Sequence, residues 1–136
     1  PALHNHLGQR IQNPDEVEEF LGACPECDLL LDVGHLSGAG GDPAAVIRRH
    51  PERLAAIHVK DIRLLRPELG LDRWLERLHF CALGAGNAGF DLADVFLALR
   101  EVGYSGWIHV EQDHHETDPA AELRQSITFL RKHLTL

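Results

Sequence analysis

Three things are scarce in this chain of 136 residues. Cysteine occurs three times, so the cysteines cannot all pair. That count speaks against a disulfide-framed secreted scaffold and predicts a reducing, cytoplasmic setting. Long apolar runs are missing: none approaches the ~20 residues of a membrane span, and Pro1-Ala2-Leu3-His4 lacks the charged and apolar regions of a leader. Positive charge is in deficit, with 13 Lys and Arg against 21 Asp and Glu for a formal charge of −8. An acidic surface repels phosphate backbones, so neither nucleic acid nor a membrane is the expected partner. Low-complexity tracts and fixed-period repeats are also missing. With 44% hydrophobic and 25% charged residues, the composition predicts one globular domain over residues 1–136. Histidine, in contrast, occurs ten times. It can ligate metal, move protons or sense pH, so the placement of these ten matters most.

Helix starts are marked by Asx–Pro pairs. Asn13-Pro14, Asp42-Pro43 and Asp118-Pro119 each set a capping side chain before a proline at the first helical position. Glu16 follows Asn13 by three, as in a capping box. Another helix is expected from Asp91, with Leu92, Val95, Phe96 and Leu99 on one face and a stop at Gly103. The last helix is expected to bury Leu123, Ile127, Leu130 and Leu134. Between the helices lie apolar runs too short to be helical, at residues 2–6, 29–33, 54–59 and 107–110. Strands alternating with helices predict an α/β fold with four parallel strands covered by helices. Residues 62–89 are the least regular stretch, with a short helix expected near 73–78 and an excursion over the strand ends.

Side chains alternate along a strand, which sorts each strand into two faces. His4 and His6 oppose Leu3 and Asn5. Asp32 and Leu30 oppose Leu29, Leu31 and Val33. His58 and Lys60 oppose Ile57 and Val59. His109, Glu111 and Asp113 oppose Ile108 and Val110. Every strand therefore ends on a ligand-type residue on one face. Parallel strands lie roughly 4.8 Å apart, so four such ends can converge on one ion, at the end of the sheet where α/β enzymes place their sites. Two imidazoles and two carboxylates suit a divalent first-row ion rather than calcium. Mn or Co is expected first, with Fe, Zn or Mg as alternatives.

Two shorter motifs read as structural. Cys24-Pro25-Glu26-Cys27 has no second pair to complete a zinc site and lies between a helix and a strand, the reverse of a redox motif. Gly84-Ala85-Gly86-Asn87-Ala88-Gly89 matches GxGxxG, but Phe90 and Asp91 separate it from the helix. A dinucleotide site needs the glycines to open the helix itself. A glycine loop closing over the strand ends is expected instead.

The motifs Leu31-Asp32-Val33-Gly34-His35, Ile57-His58-Val59-Lys60-Asp61, the glycine loop before Phe90-Asp91, and Gly103-Tyr104-Ser105-Gly106-Trp107-Ile108 running into Val110-Glu111-Gln112-Asp113 occur in that order. Together they resemble the xylose-isomerase-like TIM-barrel superfamily of sugar phosphate isomerases and epimerases. The similarity is greatest to its myo-inosose-2-dehydratase-like members, which share a start like His4-Asn5-His6 and a DxGH strand end. It covers nearly the whole chain but only the C-terminal half of such a (β/α)8 barrel, strands five to eight. The resemblance implies Asp32, His58 and Glu111 as the last three metal ligands. It also implies His35 as a substrate-polarising histidine, with Lys60 and Arg63 reaching substrate oxygens. Where the epimerases place a first ligand Glu, this chain has His4, with His6 on the same face toward the substrate. Loss of that carboxylate removes one of two opposed acid/base partners and favours a lyase-like variant.

The resemblance thus implies a divalent-metal enzyme acting on a sugar or cyclitol, or its phosphate, through an enediolate. Glu111, Lys60 and His35 are the acid/base candidates. Two alternatives stand beside it: a half-barrel that binds without turnover, and an abasic-site nuclease with three zinc ions, against which the acidic charge weighs. Four strands cannot close a barrel, so either a homodimer or a missing N-terminal half is expected.

Overall fold

A computed structural model describes residues 1–134. Each expected strand forms: β1 (Ala2–His4), β2 (Asp28–Asp32), β3 (Leu54–Val59) and β6 (Trp107–Val110). They pair in the order β1-β2-β3-β6, all parallel. The connections carry α1 (Pro14–Ala23), α3 (Pro43–Arg49), α5 (Leu92–Glu101) and, after β6, α6 (Pro119–His133). Their caps are those expected from sequence. Asn13 and Glu16 form a reciprocal capping box, and Asp42, Asp91 and Asp118 accept from Ala45, Ala93 and Ala121 N–H. Each satisfies an amide that the helix cannot pair internally.

One face of the sheet packs Leu29, Leu31, Ile57 and Val59 against Val17, Leu21, Ile47, Val95, Phe96 and Leu99 of the helices, and all are buried. The opposite face carries Trp107, which is 75% exposed, and exposed His109. Among the described residues, the outer edges of β1 and β6 pair with no further strand. Closing such a sheet into an eight-stranded barrel would cover that face and pair both edges.

Three departures from the sequence reading have physical causes. The stretch from 62 to 89 holds, besides the short helix α4 (Trp74–Arg77), an antiparallel hairpin. Its strands are β4 (Asp61–Leu64) and β5 (Leu78–Cys81), and it buries Ile62, Leu78 and Phe80 with Leu7 as a second small core. A six-residue helix, α2 (Val33–Gly38), starts directly at the end of β2, capped by Asp32 itself. In α6 the sequence-based face is corrected. Leu123 and Ile127 are 49% and 46% exposed, whereas Glu122 and Ser126 are buried and Phe129 and Leu130 meet the core. The face is set by hydrogen bonding, since Ser126 Oγ accepts from Leu83 N–H and Glu122 gathers the amides of Glu116 and Thr117.

The two motifs also find their places. Cys24 and Cys27 are joined in a disulfide, and Arg53 ties the carbonyls of Leu21, Cys24 and Cys27 beside it. Cys81 is free and buried, and burial pushes its thiol up to about 12. The glycine loop wraps a single carboxylate: Asp61 accepts from Ile62, Gly84 and Gly86 N–H. A side chain at Gly86 would collide with that carboxylate. No helix is long and apolar enough to cross a membrane among the described residues.

Candidate metal centre

Register brings the site together. Asp32 pairs with His58 across β2–β3, and Glu111 N–H donates to Val59 C=O, prolonging the β3–β6 ladder by one step. On the other side Asn5, fully buried, extends β1. Its amide donates to Asp32 C=O (3.1 Å) and accepts from Asp32 N–H (2.9 Å), replacing the missing backbone ladder. His4, Asp32, His58 and Glu111 thereby each offer one ligand atom, all within 4.8 Å of one another.

Asp32 is the hub. Its Oδ1 caps His35 N–H at 2.9 Å, while Oδ2 lies 3.3 Å from His4 Nε2, 3.2 Å from Lys60 Nζ and 3.7 Å from His58 Nδ1. Burial alone would raise its pKa, but His4, His58 and the neighbouring cation outweigh that and hold the carboxyl well below its ordinary range. The same carboxylate, with Glu111, raises the pKa of His58.

The donor set fits a divalent cation. Two imidazoles and two carboxylates from four different chain segments pair as His4–Asp32, His58–Asp32 and His58–Glu111. His58 Nδ1 and Glu111 Oε2 are in close contact, yet both are buried without a hydrogen-bond partner. Buried polar atoms without partners are costly, and an ion would satisfy both.

Around this set lie the other candidates. His35 is fully buried between His6, 3.6 Å away ring to ring, and Phe80 at 4.8 Å. Burial pushes its pKa down to about 3, so the ring is neutral at pH 7. Leu7 N–H donates to Nδ1 (3.3 Å), which leaves the ring proton on Nε2. That Nε2 faces Lys60 Nζ at 3.1 Å and Asp113 Oδ2 at 3.8 Å. Lys60 is buried as well. Burial works against its charge, but Asp32, Asp113 and Glu111 more than compensate and raise its pKa.

His6 borders the cluster, its Nδ1 donating to Leu7 C=O and its ring edge-on to Trp74. Arg63 is not gathered in: its guanidinium is engaged by Glu116 (2.8 Å) and Ala85 C=O (2.8 Å). Sequence reasoning placed Asp113 on the site face without assigning it work. The structure pairs it with Lys60 at 2.8 Å. It also missed Asn5, which alternation pointed away from the ligands. The signal for Asn5 is a polar residue at a position where the strand pattern calls for an apolar one.

Comparison with known proteins identifies the family of the fold. The family model described as xylose isomerase-like TIM barrel matches residues 1–133. The chain is 34% identical over 128 residues to the rhizopine catabolism protein MocC of Rhizobium meliloti, covering 87% of this chain and 38% of that protein. It is 33% identical over 125 residues to inosose dehydratase of Clostridium tetani, covering 88% and 41%. Among solved structures, an L-ribulose 3-epimerase superposes with a TM-score of 0.72 at 18% identity, covering 98% of this chain and 46% of that one. The chain thus spans about 40% of the length of the curated relatives it matches.

Proposed function

Because the chain belongs to the xylose isomerase-like TIM-barrel family, we propose that it carries the metal-binding half of an enzyme that isomerises, epimerises or dehydrates a sugar or cyclitol. The supporting observation is the convergence of His4, Asp32, His58 and Glu111 at four strand ends. Mn or Co is the proposed ion, with Zn or Mg next by the chemistry of the donors. When bound, such an ion supplies a Lewis acid for a carbonyl and its adjacent hydroxyl.

The chain's own residues divide the remaining work. Asp32 is fully buried and committed to four partners, so it holds and does not move protons. Glu111 is the ligand carboxylate open to solvent, with its side chain 37% exposed, and it takes the proton α to the carbonyl. Returning that proton to the neighbouring carbon isomerises, and returning it to the opposite face epimerises. Expelling a β-hydroxyl from the enediolate dehydrates. His35, neutral, and Lys60, charged, adjoin the ligand set and are assigned to the substrate oxygens, with Lys60 or His35 supplying a proton to the departing hydroxyl. His6 lines the rim, and Arg63 must leave Glu116 to engage the substrate. With His4 in place of a first carboxylate, Glu111 is the one ligand carboxylate left to act as a base. This favours dehydration of a cyclitol ketone, in keeping with the inosose dehydratases among the relatives.

The test is deuterium uptake α to the carbonyl of an inosose or ketose, followed by NMR with and without Mn or Co. Uptake that needs the metal and vanishes in Glu111→Gln is expected; undiminished uptake in that variant removes Glu111 from the role. A second reading, a half-barrel that binds metal without turnover, is favoured by the exposed Trp107 and His109 on the inner sheet face. Metal binding with no uptake would select it.

A further inference from the structure

Lys60 places a fixed positive charge against the proposed ion. It is 1% exposed, and its Nζ lies 3.2 Å from Asp32 Oδ2 and 3.4 Å from Glu111 Oε1, on two of the carboxylates offered to the metal. Its Cβ lies close against Gly34, and its ammonium stands 4.8 Å from the centre of the Phe80 ring. The nearest partner is a carboxylate outside the ligand set, Asp113 at 2.8 Å. Asp113 also lies 3.8 Å from His35 Nε2. The ammonium and the His35 N–H are both donors, and Asp113 is the acceptor that faces both.

We propose that Asp113 is a positioning residue that draws the Lys60 ammonium off Asp32 and Glu111, so that one buried site accepts both a divalent ion and a lysine. Lys60 competes with the ion for the ligand carboxylates, and Asp113 moderates that competition. Remove Asp113, and the carboxylates left within 4 Å of Lys60 among the described residues are Asp32 and Glu111, both proposed ligands. The inference rests on the metal reading of His4, Asp32, His58 and Glu111. It adds a determinant of affinity outside that set. Charges a few ångströms apart in a buried site interact strongly enough to change binding by about tenfold or more.

The experiment is Co2+ titration of the 136-residue chain, read by the visible absorption of the bound ion and by calorimetry. Lys60→Met is expected to tighten Co2+ by about tenfold or more. Asp113→Asn is expected to weaken it by about fivefold or more, and Asp113→Glu to keep wild-type affinity. In the Lys60→Met background, Asp113→Asn should have little effect, because its influence runs through the ammonium. If Lys60→Met does not fold, the half-exposed Asp113 variants decide: equal affinity of Asp113→Asn and wild type overturns the proposal. So does weakening by Asp113→Asn of the same size with and without Lys60. Co2+ binding that is unchanged in every variant leaves the metal centre standing and refutes the role of Asp113. No Co2+ binding by any variant refutes the metal centre itself. Binding by Lys60→Met alone supports the competition in its strongest form.

Discussion

Gly34 sits where α2 leaves the end of β2, against Lys60 just past the end of β3. A Cβ built there would lie 2.5 Å from Lys60 Cβ and 3.4 Å from Phe80 Cε1. Lys60 Cβ is one bond from backbone, so it cannot rotate out of the way. Gly34→Ala must therefore push α2 away from β3. Forcing one extra methyl into a packed interior costs about 1–3 kcal/mol. Replacing glycine by alanine in a helix returns at most about 1 kcal/mol. The net expectation is a loss of about 1–2 kcal/mol in urea unfolding. Co2+ affinity should fall with it, since the same displacement moves Lys60, His35 and the Asp32 cap. An alanine variant as stable as the parent would refute the close-approach argument and leave Gly34 unexplained.

Other consequences are as specific. Asn5→Ala strips Asp32 N–H and C=O of their Asn5 partners at a fully buried position, and should cost about 2–4 kcal/mol in urea unfolding; a loss below that of an ordinary surface substitution would contradict the clamp. In the metal-free chain, His35 is neutral when folded down to about pH 3, while in the unfolded chain it takes up a proton near its ordinary 6.5. Its contribution to stability is therefore intact above pH 6.5 and lost progressively as pH falls toward 3. Urea midpoints should drop from pH 7 to pH 5, and His35→Gln should flatten that drop; an unchanged slope would assign it to other groups. Finally, the unpaired edges of β1 and β6, with Trp107, Leu123 and Ile127 exposed, predict that the 136 residues alone associate. Sedimentation as a concentration-independent 15.2 kDa particle that unfolds cooperatively would contradict this.

The parallel sheet was legible because each strand is a short apolar run beside an unmistakable helix start, such as Asn13-Pro14 or Asp118-Pro119. The ligand set was legible for a related reason. Alternation fixes which side of a strand His58 or Asp32 faces, and adjacency of strands does the rest. What alternation cannot supply is the identity of distant partners. The hairpin of Ile62-Arg63-Leu64 with Leu78-His79-Phe80 carries a period of two in each arm, but each arm is only four residues long and a helix lies between them. The helix at Val33–Gly38 was hidden by its two glycines and by Asp32, which ends a strand and caps a helix at once. The face of α6 escaped because hydrophobicity favours Leu123 and Ile127, whereas the buried positions are Glu122 and Ser126, chosen by the amides they accept from.

The most direct test of the metal centre is a crystal grown with Mn2+ and measured for anomalous scattering. A single peak at roughly 2.0–2.3 Å from one atom each of His4, Asp32, His58 and Glu111 is the predicted result. Density elsewhere, or the four side chains turned apart around solvent, would contradict it.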